Sequence, residues 1–339
     1  MGVNMWLLRK FKTIDRTRMK KHLDVLVRDS GKSKSYILFD MAKNFLKRGC
    51  SYTDYFRGNY LNITEEEKDT FVTAGSFRKI VHYLNDPKYT YILNDKLVFN
   101  KYYKEFLGRE YINLQKSSLD EFVDFLRDKK IVFAKKLHGE GGQGIRKIEV
   151  AKENAKTLYK TLRDNKQFLV EEAIIQCKEL NELNPNVVAS FRIITLYKDG
   201  KPHLLGNALR INKDKKDVIG CTNDLYFSLN EKGKISSNVV DDYGNIYEEH
   251  PLTHKKFSEV VIPNVKEAFD MCLKAAHDLP QVRYIGWDVA FSNKGPILVE
   301  GNEYPAYGLV QFYKLNNKKT GHKKELETIL KDEIKKINI

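Results

Sequence analysis

The stretch IGWDVAFSNKGPILVEGNEYPA, residues 285–306, consists of two apolar runs joined by an Asn-Lys-Gly turn signal. Such a turn between β-rich runs predicts a tight hairpin. Folding the chain about Lys294 places Asp288 opposite Glu300. Because residues two apart in a strand share a face, Asn302 points the same way as Glu300. The hairpin is therefore expected to gather three oxygen-bearing side chains on one patch of a buried sheet.

These three side chains are candidate metal ligands. Two carboxylates at cross-strand distance repel each other, and desolvating them without a partner is costly. A divalent cation would remove that cost, since carboxylate and amide oxygens suit a hard ion such as Mg²⁺ or Mn²⁺. The same spacing also fits an ordinary hairpin whose solvated acids pair with lysines. The spacing alone leaves both interpretations open.

A glycine cluster lies between two predicted strands, IVFAKK and IRKIEV. Glycine-rich loops let backbone N–H groups approach phosphate oxygens. The loop does not end in Gly-Lys-Ser/Thr, as a Walker loop does, and a strand rather than a helix follows it, unlike a Rossmann fingerprint. We therefore expect a flap over a nucleotide, with a flexible hairpin tip as the alternative. The glycines are Gly139, Gly141, Gly142 and Gly144, and Lys135 in the preceding strand is placed to reach the same phosphates.

Other polar side chains lie in or beside apolar runs. The strand FLVEE ends in Glu171 and Glu172, which is typical of a hinge against an adenine ring and also of an acidic helix start. Glu179, further along, is placed to meet ribose hydroxyls. Arg192 and Arg210 lie inside apolar strands, where an unpaired guanidinium is costly. Each arginine therefore needs an anion, either a carboxylate of the hairpin or a substrate phosphate.

The chain is strongly basic, with 59 Lys and Arg against 45 Asp and Glu. Residues 1–34 hold ten of the basic and three of the acidic residues. Such an arm is compatible with nucleic acid, an anionic membrane, a phosphorylated substrate or a solvated helix over the core. No apolar stretch reaches the length of a membrane span, and the four cysteines show no paired pattern. We expect a cytoplasmic protein, with contact at the inner face of the membrane through residues 1–34 as an open option.

The pattern of the whole chain predicts an α+β protein with antiparallel sheet behind a helical front section. Residues 33–85 read as helical, and Thr64 with Glu67 has the spacing of a capping box. Residues 213–250 are polar and turn-rich and are expected to form a mobile or substrate-facing excursion. The predicted segments are a basic arm over 1–34, a helical region over 35–90, subdomains over 91–172 and 173–320, and a C-terminal helix over 321–339.

The order of these features resembles the ATP-grasp superfamily and, more narrowly, the sugar-transfer-associated ATP-grasp family found beside polysaccharide biosynthesis genes. The narrower resemblance is carried by ILNDKLVFN, FLVEEAIIQCKELNELNPNVVASFRIITL, ALRI, HP and IGWDVAFSNKGPILVEGN, which together cover roughly residues 36–312. It implies an ATP-grasp fold, in which two antiparallel-sheet subdomains clasp ATP, with a helical N-terminal region.

The resemblance also implies the nucleotide contacts. Lys96 and Lys135 would contact the ATP phosphates, and the glycine flap would close over them. Glu172 and Glu179 would hold adenine and ribose, with Glu171 in the same hinge.

Metal and catalytic roles follow from the same resemblance. Asp288, Glu300 and Asn302 would bind two Mg²⁺ ions that bridge the phosphates, with Mn²⁺ as a substitute. Arg192 and Arg210 would stabilise the transferring phosphoryl group or the acyl phosphate.

The acceptor side departs from the family pattern. After the second arginine the chain reads CTNDLYFSLN, so Asn223 is present but the expected glycine pair is not. The candidate substrate contacts are Asn223, His250 and Glu303.

By this resemblance the chain is an ATP-dependent carboxylate–amine ligase that forms an amide through an acyl phosphate. Its partners would be a small-molecule or glycan-linked carboxylate, such as a sugar acid or an amino acid, and an amine. A kinase on the same fold shares every ATP contact and stays open. A non-enzymatic nucleic-acid-binding protein is a third class, but Phe and Tyr are dispersed through apolar runs rather than interleaved with basic residues, so no nucleic-acid partner is expected.

Overall fold

The computed structural model describes residues 15–139, 144–185, 187–214 and 224–337. The chain divides into two compact units, each of which is described by itself. Unit 1 comprises Met1–Ile80, Tyr243–Asn245 and Tyr307–Ile339, and unit 2 comprises Val81–Asp242 and Ile246–Ala306. The five predicted segments have other bounds and remain predictions of subdomain limits.

Helices occur along the whole described chain. Their bounds are α1 Arg16–Ser30, α2 Lys34–Arg48, α3 Tyr52–Arg57, α4 Glu65–Lys68, α5 Ala74–Leu84, α6 Tyr91–Asn94, α7 Lys96–Tyr102, α8 Leu119–Leu126, α9 Ala155–Asp164, α10 Lys178–Leu183, α11 Val265–Asp278, α12 Tyr313–Asn316, α13 Lys323–Leu330 and α14 Glu333–Ile337. The strands are β1 Tyr111–Asn113, β2 Ile131–Lys135, β3 Ile145–Glu149, β4 Leu169–Glu172, β5 Ser190–Lys198, β6 Lys201–Asn212, β7 Asp224–Phe227, β8 Val240–Asp241, β9 Tyr284–Ser292 and β10 Gly295–Asn302.

Unit 1 is helical, and its sequence specifies several helix ends. The Ser33 hydroxyl caps α2 by accepting from the backbone N–H of Tyr36 at 3.3 Å. Gly49, with φ of 64°, ends α2 in the left-handed conformation that favours glycine. Thr64 and Glu67 form the predicted capping box at the start of α4. The helical front section is therefore confirmed.

The C-terminal segment contains two short helices rather than the single one predicted over 321–339. The first, α13, ends at Leu330, and α14 begins at Glu333. Lys331 between them has φ of 50°, which a continuing right-handed helix does not allow. The apolar spacing runs across the break without interruption, so periodicity alone suggested one helix.

The strands of unit 2 form two antiparallel sheets, as predicted. The small sheet has the order β1-β4-β2-β3, and the large sheet has the order β10-β9-β5-β6-β7-β8. Helices α8 and α9 pack on the small sheet through Phe122, Leu126, Leu158 and Leu162, which share a core with Val132 and Val170. The α+β class is confirmed.

Residues 213–250 are only partly the excursion that their polarity predicted. Within them, β7 is a fully buried strand, and it pairs with β6 from Asn212↔Asp224 to Leu209↔Phe227. The β7 strand was missed because it is four residues long and opens with an aspartate. The short strand β8 pairs with β7 and adds one more strand to the sheet.

The large sheet has one apolar and one polar face, because side chains alternate along each strand. Its apolar face forms the core against α11, with Phe191 and Ile193 of β5, Leu209 and Ile211 of β6, and Trp287 and Val289 of β9. The residues between them point to the other face. That alternation places the candidate site on the opposite, polar face of the same strands.

Candidate active site

The predicted hairpin of β9 and β10 is confirmed, including the pairing of Asp288 with Glu300. The register at the turn differs by one position from the prediction, since Gly295 pairs with Ser292. A bulge between Leu298 and Glu300 then shifts the register by one residue. The bulge therefore restores the pairing of the two acids.

Asn302 lies on the same face, opposite Gly286. Its Nδ2 donates to the Gly286 carbonyl oxygen at 3.5 Å, which leaves Oδ1 as the acceptor atom of the amide. The three predicted ligands are thus brought together.

The two carboxylates influence each other strongly. Burial raises the pKa of Glu300, and the neighbouring Asp288 carboxylate raises it further, against the opposing charges of Lys96 and Arg192. A carboxyl group whose charged form is disfavoured in this way fits a site that gains a cation.

Asp288 is the anion that Arg192 needs inside an apolar strand. Arg192 lies opposite Asp288 in the β5–β9 register. Its Nε and Nη2 donate to Oδ1 and Oδ2 of Asp288 at 2.6 and 3.0 Å, a bidentate ion pair. Burial lowers the pKa of Arg192, but the charge and hydrogen bonds of Asp288, together with the Glu300 charge, raise it overall. Arg192 therefore bonds Asp288 directly and acts on Glu300 through its charge.

Arg210 lies on the same polar face but pairs with a different acid. It pairs with Ser190 across β5–β6, and its Nε donates to Asp224 Oδ2 at 2.5 Å. The sequence predicted that Arg210 needs an anion; the structure supplies a buried aspartate of β7 rather than a carboxylate of the hairpin.

Lys96 connects the glycine loop with the carboxylate pair. It is the first residue of α7, where Asp95 caps the helix by accepting from Leu97 N at 2.9 Å. The Lys96 Nζ donates to the Gly139 carbonyl oxygen at 3.0 Å. Its charge also acts on Glu300. One ammonium group thus bonds the start of the glycine loop and acts electrostatically on Glu300.

The glycine loop joins two antiparallel strands, as predicted for a flap, since β2 pairs with β3 from Ile131↔Glu149 to Lys135↔Ile145. Gly139 and Gly144 have φ of 137° and 79°, which side chains other than glycine rarely adopt. Gly141 and Gly142 lie outside the described residues.

A buried ionic network surrounds Glu171, which is 2% exposed. Lys135 forms a salt bridge with Glu171 Oε2. Arg109 Nη2 and Asn100 Nδ2 donate to Glu171 Oε1, each at 2.9 Å. Burial would raise the pKa of Glu171, but the charges of Lys135 and Arg109 lower it to about 2. One carboxylate and two cations therefore leave this network with net positive charge, which suits a phosphate.

Arg109 was missed by the sequence analysis. Besides Glu171, its guanidinium donates to the Leu298 carbonyl oxygen at 2.7 Å and to that of Val299 at 3.5 Å. These carbonyls belong to the bulge that restores the position of Glu300. Arg109 follows Gly108 in an irregular segment, where no periodicity marked it as buried.

The remaining predicted nucleotide residues are less tightly placed. Glu172 ends β4, and its Oε2 accepts from the backbone N–H of Glu110 at 3.2 Å. Glu179 lies in the first turn of α10 beside the Cys177 thiol. Their assignment to adenine and ribose stays a prediction.

The predicted substrate residues have different surroundings. His250 is fully buried, its Nε2 donates to the Asn212 carbonyl oxygen at 2.8 Å, and its Nδ1 accepts from Leu252 N at 3.2 Å. Burial lowers the pKa of His250, in keeping with this neutral ring. These contacts favour a structural role. Glu303 is half-buried and accepts from Asn94 Nδ2 at 2.9 Å. Asn223 lies outside the described residues.

The candidate metal patch holds two carboxylates and one amide. Over residues 15–139, 144–185, 187–214 and 224–337, the structure contains no group of three or more His, Cys, Asp or Glu side chains arranged for a metal. Mg²⁺ needs few protein ligands because water and phosphate complete its shell. The patch therefore fits a hydrated ion held partly by a nucleotide.

Among the described helices, none combines the length and apolar character of a membrane span.

Several solved structures are similar to this one. D-Alanyl-alanine synthetase A from Vibrio cholerae has 12% identity and a TM-score of 0.41, over 68% of this chain and 62% of that one. The biotin carboxylase domain of 2-oxoglutarate carboxylase from Hydrogenobacter thermophilus, solved with MgADP, has 14% identity and a TM-score of 0.42, over 64% and 41%. L-amino acid ligase from Bacillus licheniformis has 11% identity and a TM-score of 0.40, over 66% and 43%. The matches thus span less than two thirds of the length of these proteins.

Similarity in sequence is more specific for this chain than similarity in structure. No curated protein is significantly similar to the chain. A family model described as sugar-transfer associated ATP-grasp matches residues 78–329, which include both sheets and every predicted site residue. The chain therefore belongs to the sugar-transfer associated ATP-grasp family.

Proposed function

We propose that the chain is an ATP- and Mg²⁺-dependent carboxylate–amine ligase. The observation that carries this proposal is the carboxylate pair on the polar face of the large sheet, in which Arg192 bonds Asp288 directly. Asn302 adds a neutral oxygen ligand beside Glu300. Such a set favours a hard divalent cation, whose charge would offset both acids.

The proposed ions, two Mg²⁺ with Mn²⁺ as a substitute, would polarise phosphoryl oxygens and offset their charge during transfer. The side chains hold and orient the reactants. Arg192 fixes the Asp288 carboxylate through two bonds, so we assign it a positioning role. Lys96 and Lys135 supply cationic contacts for phosphates, and Arg210 lies on the same face for the transferring group. The loop from Gly139 to Gly144 would exclude water above them.

In the proposed reaction the γ-phosphoryl group of ATP moves to a carboxylate oxygen of the substrate and ADP leaves. The nitrogen of an amine then attacks the acyl carbon, the C–O bond to phosphate breaks, and the nitrogen loses a proton. Products are an amide, ADP and inorganic phosphate. Catalysis of this kind needs positioned cations and a dry site rather than a nucleophilic side chain.

The family description supports a substrate connected with sugar transfer. We propose a sugar acid or an amino acid, free or glycan-linked, in surface polysaccharide biosynthesis, with reaction in the cytoplasm. Glu303 and Asn223 are the proposed substrate contacts.

Product analysis tests this proposal. Purified protein is incubated with ATP and Mg²⁺ and a panel of sugar acids and amino acids, with and without an amine. A ligase releases ADP and forms an amide only when both co-substrates are present. A stable phosphorylated product formed without the amine would instead indicate a kinase and would overturn the ligase proposal.

Paired variants connect the activity to the site. Glu300→Gln should lower turnover more than about tenfold, because an amide cannot replace the negative ligand. Glu149→Gln removes a carboxylate at the end of β3 that is 52% exposed and pairs with Lys152, and should leave turnover unchanged.

A further inference from the structure

Helix α2 of unit 1 is apolar on the side that faces solvent. Its buried residues, Ile37 and Asn44, are seven positions apart and so lie on one side of the helix. A surface helix ordinarily presents polar residues on the opposite side. Here that side carries Leu38, Phe39, Ala42 and Leu46, which we call the α2 stripe.

The exposure of the α2 stripe is large. Leu46 is 79% exposed, Phe39 is 73% exposed and Leu38 is 42% exposed. Residues three, four, seven and eight apart form one continuous strip along a helix. Isolated exposed apolar residues need no explanation, but a continuous strip of them marks a surface that another body covers.

The stretch of sequence that contains the stripe is basic. Between Arg16 and Arg48 the chain carries ten Lys and Arg against three Asp, a net charge of +7. Lys43 is exposed on α2, four residues after Phe39 and three before Leu46. Lys47 is 53% exposed and pairs with Glu65 at 2.9 Å. Arg48 is 6% exposed and pairs with Glu65 and Asp69, so the lysines rather than Arg48 supply the exposed positive charge beside the stripe.

We propose that the α2 stripe docks on an anionic lipid surface. Leu and Phe side chains enter the boundary between headgroups and acyl chains, while flanking lysines extend their apolar stems and keep the ammonium groups at the lipid phosphates. The positive charge selects this occupant, because the cytoplasmic leaflet is negative. A second copy of the chain would instead bring two lysine-rimmed surfaces together. This inference is independent of the ATP site.

Vesicle sedimentation tests the proposal with the full-length protein. The probes are vesicles of phosphatidylcholine alone and of equal parts phosphatidylcholine and phosphatidylglycerol. We expect binding to the anionic vesicles that is at least about tenfold tighter than to the neutral ones and that weakens with salt. The double variant Phe39→Ser/Leu46→Ser should lose about tenfold or more of the anionic binding, since two exposed anchors are removed.

The control is Val123→Ser/Val261→Ser, which removes two exposed apolar side chains of unit 2, 41% and 45% exposed. It should bind vesicles as the wild type does, and all proteins should unfold at the same temperature. Wild-type-like binding by the stripe variant would overturn the proposal. So would equal binding of the wild type to both vesicles, or a dimer, seen by light scattering, that only the stripe variant loses.

Discussion

Arg109 joins the small sheet to the carboxylate hairpin through one guanidinium. It bonds Glu171 of β4 on one side and the bulge carbonyls of Leu298 and Val299 on the other. The guanidinium makes these bonds from two separate nitrogens, whereas an ammonium group would have to make all of them from one atom. Arg109 therefore supports the position of Glu300 through the backbone of the bulge rather than through the carboxylate itself.

The substitution Arg109→Lys tests this dependence. It keeps the charge but should weaken Mg²⁺-nucleotide binding about tenfold and lower the free energy of unfolding by about 2 kcal/mol, since buried acceptors lose their donors. Calorimetric titration and denaturant unfolding measure the two effects. Arg146→Lys, which alters a surface ion pair with Glu153, is the control. If Arg109→Lys keeps wild-type affinity, the proposed link between network and hairpin is wrong.

Glu171 gives a prediction about acid stability. Its folded pKa is about 2, below the ordinary value of 4.5. A depressed pKa contributes stability that is fully present above pH 4.5 and is lost as pH falls toward 2. Glu171→Gln should therefore be less stable at neutral pH by about 3 kcal/mol, because two buried cations lose their partner.

The same variant should lose stability less steeply than the wild type between pH 5 and pH 2, roughly the interval between the two pKa values. Denaturant unfolding at a series of pH values measures the slope. Glu172→Gln, one residue along the strand, controls for removal of a carboxylate. Equal slopes for Glu171→Gln and the wild type would show that Glu171 titrates normally.

At the scale of elements, the two faces of β9 have different functions, one in the core and one in the candidate site. Val289 and Trp287 point into the core against α11, and Trp287 Nε1 donates to Thr195 Oγ1 at 2.9 Å. Asp288, between them, points to the polar face and pairs with Arg192. One strand therefore stabilises the unit with alternate residues and carries the site with the others.

The separation of the two faces predicts opposite outcomes for a core substitution in β9 and a polar-face substitution in β10. Val289→Ala should lower the free energy of unfolding by about 2 kcal/mol, through lost burial and a cavity, with little change in nucleotide affinity. Asn302→Ala, on the polar face, should reduce Mg²⁺-dependent nucleotide binding and leave stability within about 0.5 kcal/mol of the wild type. Unfolding and titration of both proteins check the contrast, and an equal loss of affinity in the two variants would contradict it.

At the scale of the whole molecule, local rules predicted the hairpin and its acid pair, because a tight turn and a period of two fix which residues meet. The same rules predicted the glycine loop between two antiparallel strands and the arginines that needed anions. They did not give Asp224 as the partner of Arg210, since β7 is only four residues long and opens with that aspartate. Likewise, they could not decide that Glu171 rather than Glu172 is the buried acid, because that depends on Arg109 and Asn100 from other elements.

The central proposal is that Asp288, Glu300 and Asn302 would hold a divalent cation shared with the nucleotide. Calorimetric titration of the purified protein with a non-hydrolysable ATP analogue, with and without Mg²⁺, measures this claim most directly. We predict binding that requires Mg²⁺ in the wild type and is lost in Glu300→Gln, while Glu149→Gln binds normally. Equal Mg²⁺-dependent binding by the wild type and Glu300→Gln would contradict the account.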